Sequence, residues 1–142
     1  MSTVDFYKQL GIDRALVSRF FIVFSRLEYA LKRTGSTKYA RGDENWVEAN
    51  WTAFASEVDS RFRPEKTAAL SQAVEYIEHH PPLKQVLASH RLDFKPVVED
   101  TGVRLNNLLL AVRRARNNLF HGGKFPDPTG PIKDPGHDKD LL

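Results

Sequence analysis

Apolar residues recur at helical spacing in several stretches of the chain, and the longest of these comes first. It runs from Asp13 to about Arg33 and places its apolar side chains on one broad face: Leu16, Val17, Phe20, Phe21, Val23, Phe24, Leu27 and Leu31. This spacing predicts a long, buried helix. The segment Thr34-Gly35-Ser36 is predicted to end it.

The middle of the chain predicts shorter helices. After a polar loop, a second helix is marked by apolar residues at steps of three and four: Val47, Trp51, Phe54, Val58 and Phe62. Pro64 suits the first turn of a third helix, which is predicted to run toward Glu78 and to end before Pro81-Pro82. The segment from Leu83 to Ser89 is predicted to form one or two helical turns.

A last long helix is predicted to start near Val97 or Val98. Its apolar residues form one stripe: Leu105, Leu108, Leu109, Val112, Ala115 and Leu119. Gly122-Gly123 is predicted to end this helix, because glycine adopts the left-handed conformation that closes helices.

The absence of strand patterns predicts the fold class. No segment shows sustained two-residue alternation with β-branched bias, so we expect an all-α fold, an antiparallel helical bundle of four to five helices. Residues 1–124 are expected to form this domain, and the Pro- and Gly-rich residues 125–142 a loop or disordered tail. Asp138 to Leu142 resembles the capped first turn of a further helix, so we expect the final helix to be truncated.

The composition favours a single intracellular domain. The chain has 142 residues, enough for one core, and 41% of them are apolar. It has no run of about 18 apolar residues and no signal-peptide pattern, so we expect a cytoplasmic protein without membrane association. The lack of cysteine excludes disulfides, cysteine nucleophiles and thiolate metal sites. The net charge of +3 is compatible with a nucleic acid partner.

Arg116 and His121, near the end of the last helix, are residue types suited to RNA chemistry. Histidine titrates near neutral pH and can move a proton, whereas a guanidinium is always charged and matches phosphate oxygens. The spacing alone is expected about once by chance in such a chain. A helical projection, however, places Arg116 inside the apolar stripe, where its charge needs a partner, a cleft or a subunit interface. The Gly122-Gly123 break would let His121 turn back over the helix end.

The segment Arg116-Asn117-Asn118-Leu119-Phe120-His121-Gly122-Gly123 resembles the Arg-x4-6-His pattern of the HEPN superfamily. This superfamily consists of small all-helical domains and includes many metal-independent ribonucleases. The stretch from Phe21 to Lys32 in the first helix is similar to the subgroup called Apea-like HEPN. The likeness in general organisation covers most of the chain, whereas the specific motifs cover about twenty residues.

The resemblance implies a homodimer in which two pairs of Arg116 and His121 share a cleft and cut single-stranded RNA. It implies no metal or other cofactor, because RNA supplies its own nucleophile, the 2′-hydroxyl. His121 would act as base or acid, and Arg116 would hold the non-bridging phosphate oxygens. The products would carry 2′,3′-cyclic phosphate and 5′-hydroxyl ends. The implied setting is antiviral defence or a toxin–antitoxin pair, with an antitoxin or regulatory partner.

Five further residues are candidates for supporting roles. Asn117 would contact substrate or orient the histidine, and Glu28 would pair with Arg116. Arg113, Arg114 and Lys124 would attract RNA phosphates, although both arginines project as ordinary solvated residues. Each role has an alternative: Asn117 as a surface asparagine, Glu28 as a boundary residue of its helix, Arg116 in an interface ion pair and His121 as a histidine favoured by the helix dipole.

Other histidine and aromatic residues suggest weaker alternatives. His79 and His80 diverge by about 100 degrees on a helix and cannot face one metal, so a solvated helix end is expected. His90 and His137 have no companions at ligand spacing. Four residues before and within the second helix could stack on bases: Tyr39, Arg41, Trp46 and Trp51. Of these, Trp51 is expected to lie in the core instead.

Two rivals to catalysis stay open. One is a HEPN-like dimerisation module that binds a nucleotide or a partner through the same residues without cutting RNA. The other is a structural helical domain of a larger complex, in which Arg116 forms an interface salt bridge.

Overall fold

The computed structural model describes residues 11–40 and 43–120. Within these residues lie the helices α1 (Arg14–Arg33), α2 (Trp51–Val58), α3 (Ala68–His79) and α4 (Arg104–Phe120). One antiparallel hairpin, β1 (Thr37–Ala40) and β2 (Asp43–Ala49), separates α1 from α2, and another, β3 (Lys84–Ala88) and β4 (Arg91–Lys95), separates α3 from α4. Short 3₁₀ turns, Asp59–Arg61 and Pro64–Lys66, connect α2 to α3. The fold is therefore mixed α/β.

The prediction of an all-α antiparallel bundle is wrong, because the two hairpins interrupt the helices. The segment predicted to form helical turns contains β3, which pairs with β4 from Lys84 opposite Lys95 to Ala88 opposite Arg91. β3 and β4 bury no complete face, and the strand positions of the first hairpin whose burial is described are mostly exposed, so the sequence lacks the alternation that reveals strands. The β3–β4 turn also places Ser89 and His90 at positive φ, instead of the Asn-Gly or Asp-Gly pair typical of such turns.

The first predicted helix is confirmed in its extent but not in its burial. The Asp13 carboxylate caps α1 by accepting a hydrogen bond from the Leu16 amide at 2.9 Å. Only Phe24 and Leu31 are buried along this helix, whereas other apolar side chains are exposed, including Ile22, Val23 and Tyr29. In the described residues, no helix has the length and apolar character needed to cross a membrane.

The other helices begin later than predicted, because capping groups, two of them local and one distant in sequence, set their first residues. Asn50 caps α2 through a 3.1 Å hydrogen bond from the Ala53 amide, and Val47 lies in β2 instead. Thr67 caps α3, so Pro64 belongs to a separate 3₁₀ turn. Helix α4 begins at Arg104 rather than near Val97. The Asp59 carboxylate accepts a 2.7 Å hydrogen bond from the Leu105 amide in its first turn.

The hydrophobic core lies where α1, β2, α2 and α4 meet. Its buried members are Phe24, Leu31, Ala49 and Trp51, against which Phe20, Phe54, Leu109 and Val112 pack. The rings of Phe24 and Trp51 stack with their centroids 5.4 Å apart. The expected core position of Trp51 is confirmed. Two arginines of α4 lie over these rings, Arg113 over Trp51 and Arg116 over Phe24.

Candidate functional site

Arg116 lies on the last turns of α4 against the aromatic core, as its place in the apolar stripe predicts. The centre of its guanidinium is 5.6 Å from the centroid of the Phe24 ring and 5.0 Å from that of Phe120. Aromatic faces attract a cation and also shield it from water. The side chain is therefore partly buried and held by rings from two helices.

The hydrogen-bonding capacity of Arg116 is largely unused within the described residues. Nη1 donates to Oδ1 of Asn117 at 2.9 Å, and no described carboxylate forms an ion pair with the guanidinium. A guanidinium carries five N–H donors in a planar fork. Most of these donors therefore remain available to an anion with the geometry of a phosphate or carboxylate.

A cavity of about 200 Å³ opens beside Arg116. Its walls come from α1, β2, α2 and α4: Phe24, Glu28, Glu48, Ala49, Trp51, Arg113, Arg116 and Asn117. Each of the two carboxylates forms an ion pair with a lysine. Oε1 of Glu28 lies 3.3 Å from Nζ of Lys32, and Oε2 of Glu48 lies 3.7 Å from Nζ of Lys38. The two arginines form no ion pair in the described part of the chain, and Glu28 and Glu48 act on Arg113 only at longer range.

Arg113 completes this pair of cations. Its guanidinium lies 5.7 Å from the centroid of the Trp51 ring. Burial lowers the pKa of Arg113 below its usual value; the charge of Arg116 also lowers it, whereas Glu28 and Glu48 oppose the change. An arginine retains its proton at neutral pH despite such a shift. Two neighbouring guanidiniums thus face one cavity, an arrangement that an anion would stabilise.

Arg114 has a structural role. The prediction that Arg113 and Arg114 are solvated residues is wrong for both, since each is partly buried. The Arg114 side chain is only 12% exposed and forms a hydrogen-bonded ion pair with Glu99. It also donates to the Pro82 carbonyl at 3.3 Å. These contacts attach the chain before β3 and the segment before α4 to the helix, so the guanidinium is occupied.

Glu28 and Asn117 lie at the site but differ from their expected roles. Glu28 borders the cavity, yet its ion pair in the described residues is with Lys32 rather than with Arg116. Asn117 is exposed and accepts the hydrogen bond from Arg116 described above. His121 and Lys124 lie outside the described residues, as does the Gly122-Gly123 helix end, so the expectations for them stay predictions.

Sequence reasoning missed two buried polar residues of α4, Asn106 and Asn118, of which Asn118 lies near the site. It is 3% exposed and donates from Nδ2 to the Leu83 carbonyl at 2.9 Å. The signal was present, because the buried positions of α4 continue from Ala111 and Ala115 to Asn118 at steps of four and three. A polar side chain at such a position is expected to bind a backbone group.

The remaining candidates divide into exposed and buried groups. His79 and His80 are exposed at the end of α3, as expected. In the described part of the chain, no three histidine or carboxylate side chains are grouped as metal ligands. Tyr39 and Trp46 on the first hairpin are 65% and 68% exposed, whereas Trp51 is 6% exposed and is not open to a base. Arg41 lies outside the described residues.

Comparisons with family models, with curated proteins and with solved structures find no match to this chain.

Proposed function

We propose that this protein is a metal-independent endoribonuclease that cleaves single-stranded RNA. The observation that carries the proposal is the pair of partly buried guanidiniums, Arg113 and Arg116, that line one cavity without an ion pair in the described residues. A phosphodiester would supply the directly bound anion that this pair lacks in the described residues. Arg116 also stands five positions before His121 in the chain, in the pattern that resembles HEPN ribonucleases.

The chemistry assigned to these residues needs only the groups of the chain and of the RNA. One imidazole removes the proton of the 2′-hydroxyl, and that oxygen attacks the adjacent phosphorus. Arg116 holds the non-bridging oxygens and gains strength as negative charge accumulates on them. A protonated imidazole then gives a proton to the departing 5′-oxygen. The P–O5′ bond breaks, leaving a 2′,3′-cyclic phosphate and a 5′-hydroxyl.

A homodimer would supply both proton-transfer groups, one His121 from each copy. Support comes from apolar side chains that α1 and the end of α4 expose: Ile22, Val23, Tyr29 and Phe120 are 60%, 62%, 64% and 64% exposed, respectively. Apolar surface of this kind favours association with another protein surface. Phe120 directly precedes His121 in the chain, and its ring lies 6.4 Å from that of Phe21, so the apolar surface of α1 extends to the end of α4.

The wider setting follows from the resemblance alone. We infer a cytoplasmic role in antiviral defence or in a toxin–antitoxin pair, where an antitoxin or regulatory partner would restrain the activity. Arg113 joins Arg116 as an RNA contact in this scheme, and Lys124 is a further one. Arg114 is not included, because Glu99 occupies it.

The test is incubation of labelled single-stranded RNA with wild type, Arg116→Ala and His121→Ala in the presence of EDTA. Wild type is expected to cut, whereas both variants should lose about 100-fold or more in rate. Circular dichroism and thermal melting establish that the variants are folded. If the wild type bound RNA without cutting it, and His121→Ala still bound RNA, the result would instead favour a binding module in which the same guanidiniums hold a nucleotide.

A further inference from the structure

A second cavity, of about 360 Å³, lies on the neighbouring face of α4, beside the first residues of β3. Its lining residues are Lys84, Gln85, Glu99, Leu110, Arg113, Arg114, Asn117 and Asn118. Most of these side chains are donors, and the one carboxylate is that of Glu99. The charge and donor content of this cavity therefore suit an anion.

Two side chains of α4 fix the wall of this cavity. Asn118 donates to the Leu83 carbonyl, and Arg114 donates to the carbonyl of the fully buried Pro82. Both contacts hold the chain entering β3 against the helix. The next two residues, Lys84 and Gln85, are thereby placed at the cavity with Arg113 and Asn117.

The positive charge of the second cavity is not neutralised by the described residues. Glu99 is engaged with Arg114, whereas neither Lys84 nor Arg113 forms an ion pair with a described carboxylate. Lys84 also lies directly opposite Lys95 in the β3–β4 ladder. Two like charges at opposed positions destabilise a hairpin, and a bound anion would relieve this repulsion.

Gln85 adds an independent observation that points to a ligand. Its Nε2 atom is buried and has no hydrogen-bond acceptor among the residues that the structure describes. Buried amide donors are nearly always paired, because leaving one unpaired is costly. Nε2 is out of reach of solvent, so the amide would have to turn toward the cavity to meet a phosphate oxygen. That oxygen would then be the acceptor that the described residues do not provide.

The two cavities adjoin, since Arg113 and Asn117 line both of them. These residues lie one helical turn apart and form the ridge between the cavities. We propose that the second cavity is a phosphate subsite, in which Lys84, Gln85 and Arg113 bind a backbone phosphate flanking the one held at Arg116. This inference rests on the proposed function and adds a strand path across α4.

Binding is tested apart from cleavage by making each variant in the His121→Ala protein. The variants are Lys84→Gln and Gln85→Met, with Lys66→Gln as the matched control; Lys66 is exposed in a 3₁₀ turn and does not line the cavity. We expect Lys84→Gln to weaken binding of a labelled single-stranded oligonucleotide about tenfold, and Gln85→Met about threefold. The log–log salt slope should fall by about 0.7 for Lys84→Gln, as for the loss of one phosphate contact.

Affinities and slopes equal to those of Lys66→Gln in both variants would overturn the subsite. The Gln85→Met protein should be at least as stable as its parent, because methionine has no amide to satisfy. The two proposals can fail separately. If the wild type never cut RNA but oligonucleotide binding depended on Lys84, the subsite would be supported and the proposed activity would be refuted.

A second arm separates a flanking phosphate from other sources of the same chemistry. With His121 present, Lys84→Gln should cleave a dinucleoside monophosphate at the wild-type rate but an oligonucleotide with a raised KM, since only the longer substrate reaches the subsite. Equal losses on both substrates would contradict the flanking position. Inorganic phosphate could instead protect the protein from thermal unfolding. If Lys84→Gln abolished that protection and the protein bound no oligonucleotide, the cavity would be a small-anion site, and the assignment to RNA would be overturned.

Discussion

The Arg116 guanidinium lies over the ring of Phe24, with 5.6 Å between its central carbon and the ring centroid. This contact joins a charged side chain of α4 to the centre of the α1 core, because Phe24 is 8% exposed and stacks on Trp51. The position of the cation is thus set by the same ring that stabilises the fold. Stability and activity should therefore respond to Phe24 in separable ways.

Replacing Phe24 by leucine keeps an apolar side chain but removes the aromatic face under the cation. We expect the free energy of unfolding to fall by about 1 kcal/mol, as for a nearly volume-conserving core change. RNA cleavage should fall several-fold further than in the control Leu92→Ala, which is exposed on β4 and lines neither cavity, because the guanidinium loses one of its two rings. Urea unfolding and initial cleavage rates measure the two effects, and wild-type rates would refute the positioning role.

Asn117 tests whether the Arg116 charge is free to bind an anion. Asn117→Asp should weaken RNA binding more than Asn117→Ala, since a carboxylate beside Nη1 would neutralise the guanidinium that the neutral amide leaves charged. Gln72→Glu on α3 is the control, because it adds the same charge at an exposed position away from the cavity. Fluorescence anisotropy with labelled RNA compares them. Equal affinities for the two acidic variants would show that the Arg116 charge is not used.

The two adjacent arginines of α4 should separate into a structural and a binding residue. Arg114→Leu is expected to lower the free energy of unfolding by about 2 kcal/mol, because Glu99 and the Pro82 carbonyl lose their donor. Arg113→Leu should change stability less and RNA affinity more, since Arg113 has no ion pair in the described residues. Denaturant titrations and RNA binding of both variants measure the contrast, and the reverse order would contradict the assignment.

The bond between Glu78 and Arg104 predicts a loss of stability in acid. Hydrogen bonding by Arg104 lowers the pKa of Glu78 below its ordinary value of 4.5, against the opposing effect of burial. A lowered folded-state pKa stabilises the fold above the unfolded value, and this contribution disappears as pH falls through the folded one. Wild type should therefore lose more stability than Glu78→Gln between neutral pH and about pH 3. Urea titrations at both pH values would show equal losses if the bond were unimportant.

The helices were largely predictable from the sequence, because apolar spacing reports which side of a helix packs inward. Arg116 within the apolar stripe of α4 was found in this way, and so was the core position of Trp51. The hairpins were not, since β3 and β4 bury no continuous face and turn through Ser89 and His90 without glycine. The start of α4 was missed because it depends on a capping group distant in sequence, the Asp59 carboxylate, which accepts a hydrogen bond from the Leu105 amide.

The candidate site was predictable in its residue types but not in its pairings. Sequence spacing placed Arg114 among solvated residues. Its ion-pair partner Glu99 was predicted to lie within the same helix, whereas it lies in the segment before α4 and reaches Arg114 from there. Sequence spacing also suggested that Glu28 pairs with Arg116. Glu28 instead forms an ion pair with Lys32, its i,i+4 neighbour on α1. Gln85 and Lys84 carried no local signal, since their relation to Arg113 depends on the fold of the second hairpin.

The most direct test of the central claim is the end chemistry of RNA fragments released in EDTA. Wild type should yield 2′,3′-cyclic phosphate and 5′-hydroxyl ends, and Arg116→Ala and His121→Ala should release such fragments at least about 100-fold more slowly. A substrate with a single 2′-deoxynucleotide should resist cleavage at that position, because it lacks the nucleophile. Fragments with 3′-hydroxyl and 5′-phosphate ends, or cleavage at the wild-type rate by both variants, would contradict the account.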